Sequence, residues 1–385
     1  MRFALKLAAA GAVLLLAGCS TLASLNPFAA KAAPRNPPAA LVEIKTTLGV
    51  RTAWSTSIGS AGAYTFSPAV AEHNLFVAAA DGAISRIDIP SGRSLWRINA
   101  GVRLTAGVGS DGNTVAVAGE KGSVLAFDGS GKLRWTAQTS SEVLSAPAVG
   151  QGLVIVRSLD NRIVAFDAET GARRWTVQRN TPSLTLRTAP GITIADSSVY
   201  VALPGGRLLA LALSNGGQRW EVAVGDPRGA TELERIADIS GAPMSWARDI
   251  CAVAYQGRVG CFDTVSGNLR WAKTFSSDAG IGIDERFVFA PDEHGVLTAF
   301  TRESGASVWR NTQLSNRRLS APVSYGRAVA VGDGQGFVHF LSREDGAMLA
   351  RLSIDASPVI TAPLIDGAFL IFQTQAGTVV AIAVE

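Results

Sequence analysis

Three observations predict an all-β chain folded as an eight-bladed propeller of four-stranded antiparallel blades, its ring closed by the N-terminal strand joining the C-terminal blade. A tryptophan closing a strand-sized segment recurs at Trp54, Trp96, Trp135, Trp175, Trp220, Trp271 and Trp309, at intervals of 42, 39, 40, 45, 51 and 38 residues. The next interval of 40 lands on Leu349, read as the eighth position. A hairpin glycine recurs independently at Gly82, Gly122, Gly206, Gly257, Gly295, Gly336 and Gly377, with Asn161 in the third copy. Both series count eight, and a repeat of roughly 40–45 residues with four short strands is a propeller blade. The third observation is a permutation: the last copy stops after its third strand near Ala383, while Trp54 precedes any complete blade. Lending Leu48–Ile58 to the last blade as its fourth strand removes two open edges. A sandwich or β-helix of the same composition does not explain that offset.

The third copy shows how each blade is built. Its segments are Ala148-Val149, Leu153–Val156, Ile163–Asp167 and the strand ending at Trp175, separated by Gly, Asn, Asp and Thr-Gly turns. Each segment is strand-length and rich in β-branched residues, and each boundary carries turn residues. The repeated indole reads as packing between adjacent blades, and the Asp-Gly pairs read as hairpins rather than metal loops.

Before the repeats, Arg2 and Lys6 precede an apolar run from Leu7 to Ala17. This pattern is a secretory signal, too short for an ordinary transmembrane helix. The signal ends Leu16-Ala17-Gly18-Cys19, which is similar to a bacterial lipobox whose cysteine is acylated. Residues 1–18 are therefore expected to be removed and Cys19 to carry the lipid. Ser20 follows where an aspartate would resemble an inner-membrane retention signal, so the resemblance points to the outer membrane, facing the periplasm. Residues 19–47 open on an Ala/Pro-rich stretch with Pro27, Pro34, Pro37 and Pro38 and are expected to form a tether, with 48–385 as a single propeller.

Composition narrows the function by exclusion. Apolar residues are 47% of the chain and charged residues 17%, enough for a large core and too apolar for global disorder. The formal charge is +4, and no Lys/Arg block suggests a nucleic-acid partner. Gly107-Val108-Gly109-Ser110-Asp111-Gly112 matches a dinucleotide fingerprint, but the strand-like Thr114–Ala118 follows where a helix is required. His73, His294 and His339 fall in different blades, and Asp292-Glu293-His294 reads as a solvated hairpin. No catalytic, cofactor-binding or metal site is assigned. Cys251 and Cys261 flank Gln256-Gly257. A three-residue loop would set them opposite one another, whereas a two-residue turn would put them on opposite sheet faces. The expectation is a disulfide, in keeping with an oxidising compartment.

Irregularity in the repeat marks a candidate surface. The two longest connections between blades follow Trp175 and Trp220, so they are spatial neighbours. The first contains Pro182-Ser183-Leu184-Thr185-Leu186-Arg187, and the second contains Thr231-Glu232-Leu233-Glu234-Arg235-Ile236-Ala237-Asp238. Insertions in repeat proteins map to binding faces, and apolar groups beside a guanidinium and carboxylates suit a protein partner.

These residues carry a resemblance. Ala165-Phe166-Asp167-Ala168-Glu169-Thr170-Gly171 with Trp175 resembles the quinoprotein-type propeller repeat. Together with the lipobox and the two connections, nearly the whole mature chain resembles the BamB (YfgL) family of outer-membrane assembly factors. The resemblance implies a non-enzymatic lipoprotein of the β-barrel assembly machinery, docked on the POTRA domains of BamA and serving unfolded outer-membrane protein clients. It places BamA contacts at Leu184, Leu186 and Arg187 and an acidic position at Asp238. The family's second acid there falls on Ser240, a departure. Two other readings compete: a generic cell-envelope propeller scaffold with another partner, and a quinoprotein dehydrogenase. The second resembles larger chains with adjacent cysteines, which this chain lacks.

Overall fold

The computed structural model describes residues 36–186, 190–225 and 227–385; Cys19 and Arg187 lie outside them. The described chain forms eight four-stranded antiparallel sheets. Seven are built from consecutive strands. The third is representative: Ala148–Gly150, Leu153–Arg157, Arg162–Asp167 and Arg173–Gln178 lie side by side in sequence order. The eighth combines Leu364–Asp366, Phe369–Gln373 and Thr378–Val384 with Val50–Ser57 from the other end of the chain. The closing strand runs antiparallel to Thr378–Val384, with Val50 opposite Val384 and Ser57 opposite Thr378.

Burial follows from each strand's place in its blade. The second strands, such as Leu153–Arg157, are buried at every residue in seven blades and at all but Phe369 in the eighth, because neighbouring blades cover both of their faces. The fourth strands are the outer edges and alternate, with Trp175 buried between exposed Arg174 and Thr176. The core therefore lies between blades. One cluster joins Ile155, Ile163, Ala165 and Trp175 of blade three to Val199, Val201, Leu209 and Leu211 of blade four.

The tryptophans stitch these seams. All seven repeat indoles donate Nε1–H to a backbone carbonyl of the next blade, at 2.6–3.1 Å. Each also lies on a turn glycine of that blade. A Cβ on Gly171, whose φ is +72°, would stand 2.7 Å from the Trp135 ring. The turn glycine of each such blade thus seats the tryptophan of the blade before it, and in blades one to six its own blade's tryptophan follows four residues later.

That offset corrects the eighth position. In blade seven, Gly346 is followed four residues later by Ala350, and Ala350 pairs with Phe340 as Trp309 pairs with Ala299 in blade six. Leu349 is instead the bulged residue that the register skips. Blade eight takes its fourth strand from Val50–Ser57, so its third and fourth strands are not joined by a turn that would seat a side chain here as Gly346 seats Trp309. Leu48 joins Leu349 and Ala350 in the cluster there.

Part of the expected tether is held against the ring. Ala39 and Thr47 N–H donate to Ser315 O and Leu349 O at 2.8 and 2.9 Å. The folded unit accordingly begins at Ala39.

Cys251 and Cys261 are directly opposite in register, on strands Asp249–Ala254 and Gly257–Asp263, and are joined as a disulfide. Both are fully buried. Replacing both with alanine removes a cross-link between residues ten apart in sequence. It is expected to cost about 3 kcal/mol. A lowered urea midpoint with unchanged slope reports that loss. Identical midpoints for the variant and the oxidised wild type would count against a stabilising role.

The glycine-rich match is resolved as strand. Leu104–Ser110 and Thr114–Gly119 pair with one another. A Cβ on Gly109 would lie 1.9 Å from Pro147 O, so the glycine permits close approach of neighbouring inner strands.

Candidate docking face

Every inter-blade connection emerges beside the hairpin joining the second and third strands of its own blade. Thr139 N–H donates to Gly122 O, Arg179 N–H to Asn161 O, and Val224 N–H to Gly206 O. The connections and these hairpins thus share one face of the ring. The two longest connections span 179–191 and 224–238, flanking blade four. The second ends earlier than Pro243 suggests, because the next strand, Ile239–Trp246, already begins at Ile239 and absorbs the extra residues in a register shift between Ser240 and Met244.

Asp238 ties this region together from within. It is 3% exposed. Its Oδ2 accepts Leu186 N–H at 2.6 Å, and its Oδ1 accepts Gly205 N–H at 2.8 Å. One carboxylate therefore joins the first connection to the hairpin of blade four. Burial pushes its carboxyl above the ordinary value, against the opposing pull of the two N–H groups and Arg157. Its oxygens are turned inward, onto the backbone of Leu186 and Gly205.

Two residues outside the sequence assignment support the same region. Arg157 is 7% exposed, at the end of an otherwise apolar strand. Burial lowers its pKa to about 10, with the Asp238 charge opposing. Its Nη1 donates to Asn161 Oδ1 at 2.9 Å. Asn161 occupies the glycine position of the repeat with φ of +59°. Asparagine tolerates this left-handed conformation, and unlike glycine it brings an amide. Its Nδ2 donates to Asn180 O and Thr181 Oγ1, both at 3.2 Å, securing the start of the first connection. Both signals were visible in the sequence: a charge inside an apolar strand and the single break in the glycine series.

The second connection has its own order. Thr231 and Ala230 N–H donate to Glu234 Oε2 at 3.0 and 2.8 Å, while Glu234 N–H donates to Thr231 Oγ1 at 3.3 Å. These reciprocal bonds close a capping box around a short turn. Ser183 Oγ donates to Glu232 Oε2 at 2.5 Å, bridging the two connections. With the polar groups so engaged, two apolar side chains face solvent: Leu184 at 44% and Leu233 at 68% exposure. Leu186 is half-buried. The face is thus an apolar pair on a hydrogen-bonded base, which suits protein contact.

Other polar groups noted in the sequence do not converge. Asp292 Oδ1 accepts His294 and Val296 N–H at 2.9 Å, and the His294 side chain is 68% exposed. Among the described residues, no group of three or more His, Cys, Asp or Glu side chains is placed to hold a metal.

A family profile described as "Outer membrane protein assembly factor BamB" matches residues 80–311 and 293–385. The protein of that name from Bordetella pertussis is 45% identical over 369 residues, covering 96% of this chain and 94% of its own. The Burkholderia pseudomallei protein of the same name is 42% identical, covering 98% and 97%. The solved structure of BamB from Moraxella catarrhalis superposes with a TM-score of 0.81 at 25% identity, covering 87% of this chain and all of that one. A quinohemoprotein alcohol dehydrogenase from Comamonas testosteroni reaches a TM-score of 0.68 at 16% identity, covering 87% and 76%, a likeness of fold alone.

Proposed function

This chain belongs to the BamB family of outer membrane protein assembly factors, and from that premise we propose that it is a non-catalytic, lipid-anchored subunit of the β-barrel assembly machinery. In this reading residues 1–18 are the signal peptide, Cys19 carries the acyl chains, residues 20–38 are the tether, and the ring faces the periplasm. It docks on the POTRA domains of BamA and assists the folding and insertion of outer-membrane proteins. The single observation that carries the docking surface is the pair of longest connections, tied to each other and to blade four, with Leu184 and Leu233 exposed upon them. Preordering matters because a floppy loop loses side-chain and backbone freedom on binding, which subtracts from affinity. The names of the relatives support the non-enzymatic part of the reading.

The test is a detergent pull-down of BamA with the full lipidated chain. Leu184→Ala/Leu186→Ala/Arg187→Ala is expected to lose BamA while keeping the wild-type circular dichroism and thermal transition. An apolar anchor at the centre of an interface contributes about 2 kcal/mol, or roughly 30-fold in Kd. Equal retention would move the partner surface elsewhere. No BamA with wild type would favour the generic scaffold.

A further inference from the structure

The segment leading into the ring makes contacts that neither the repeat nor the docking connections require. Arg317 Nη1 donates to Ala39 O at 2.9 Å, while Ala39 N–H donates back to Ser315 O. Arg351 Nη1 donates to Val42 O at 3.1 Å. Arg327 Nη2 donates to Thr47 O. Thr47 N–H binds Leu349 O on the outer strand Met348–Ser353 of blade seven, and Leu48 is buried beyond it. Residues 39–48 therefore follow the outer edge of blade seven. They begin beside the 312–322 connection, on the docking face, and reach Arg327 in the turn between the first two strands of the blade.

Two of these arginines are held by a buried polar cluster. Arg317 Nε donates to Asp333 Oδ2 at 2.7 Å, with side chains only 5% and 0% exposed. His339 Nε2 lies 2.8 Å from the same oxygen. Asp333 Oδ1 accepts Gln335 and Phe337 N–H at 2.8 and 3.0 Å. Burial lowers the imidazole pKa, so the ring is neutral at pH 7. A neutral ring donates from Nε2 to the carboxylate and leaves Nδ1 to accept Arg351 Nε at 3.3 Å. At the register position of His339, blades two, three, four and eight carry Leu125, Val164, Leu209 and Val380, and blades one, five and six carry Ser85, Gly260 and Thr298. Blade seven alone places an ionisable side chain there, in a cluster that aims a guanidinium outward at the strap.

We propose that residues 39–48 are a strap, with Arg317, Arg327 and Arg351 as its positioning residues, and that it makes the anchored N-terminal segment enter the ring on the docking face, two and three blades from the docking connections. Without the strap the chain would first be held at Val50, whose partner Val384 adjoins the opposite face of blade eight. The strap thereby sets which face the anchor draws toward the membrane surface. This deepens the docking proposal and rests on its lipid anchor.

The experiment is hydrogen exchange by mass spectrometry on the full chain in detergent, with the mass of the mature N-terminus measured in parallel. In wild type the amides of Ala39 and Thr47 are expected to exchange at least about tenfold more slowly than unstructured amides. Arg317→Ala/Arg351→Ala should abolish that protection at Ala39 while the second strands of all blades keep theirs. Should that variant unfold, Ala39→Pro removes the strap's first donor without touching the cluster, and is expected to expose the amides of 40–44 to exchange. Unprotected Ala39 and Thr47 in wild type, or full protection in folded variants, would overturn the strap. An unacylated N-terminus with a protected strap would instead overturn only the anchor.

Discussion

Asp238→Ala is expected to abolish BamA retention although its carboxylate is not on the surface. The substitution releases Leu186 N–H and Gly205 N–H and leaves Arg157 buried without its nearest opposing charge. Hydrogen bonds to a charged group are each worth about 1.5–3 kcal/mol, and partial compensation by water brings the local cost to about 3 kcal/mol. That cost falls on the order of the first connection. The blade cores do not depend on it, so the thermal midpoint should move by only a few degrees. The affinity for BamA should fall about 100-fold. Asp238→Asn sharpens the test. The amide keeps one acceptor and turns an NH2 toward the other N–H, so an intermediate loss is expected. Titration calorimetry with the POTRA domains reads the affinity, and hydrogen exchange at Leu186 reads the clamp. Unchanged affinity in a folded Asp238→Ala variant would remove Asp238 from the docking mechanism. Lost affinity with Leu186 still protected would mean that the carboxylate acts on the partner directly.

The second large effect concerns ring closure. Deleting residues 48–57 takes away the outer strand of blade eight and leaves Thr378–Val384 as a bare edge. It also removes Trp54, whose indole donates to Ile89 O and packs into the cluster between blades eight and one. Loss of a fully buried tryptophan costs about 3–5 kcal/mol, and half-buried Trp54 adds a smaller share of that to the loss of a whole strand ladder. The truncated chain is expected to lose its cooperative thermal transition and to be recovered mainly as aggregate, since an unpaired strand edge invites pairing with other chains. A synthetic peptide spanning 48–58, added during refolding, should restore part of the soluble fraction. A truncated chain that melts cooperatively within about 5 °C of the full one would show that the other blades hold the ring shut.

Most of the architecture was legible because a repeat reports itself eight times. Tryptophan spacing, hairpin glycines and the permuted start each depend on local packing that every blade must solve in the same way. The error at Leu349 shows where counting fails. The interval from one tryptophan to the next varies with loop length, whereas the four-residue offset from turn glycine to indole lies within one hairpin and its bulge, which every blade repeats. Gly346 therefore points to Ala350. The docking connections were also legible, because length and apolar content in a loop break the pattern.

The sequence by itself determined the number of blades, the closing strand and which two connections are exceptional, since these follow from periodicity and chain order. Only the tertiary structure decided what the polar residues do. It turned Asp238 inward to hold Leu186, gave Asn161 and Arg157 a shared task, and brought Ala39 to Arg317 across 278 positions. The reason is that a side chain's polar partners depend on distances set by ring closure, and residues hundreds of positions apart carry no local mark of meeting.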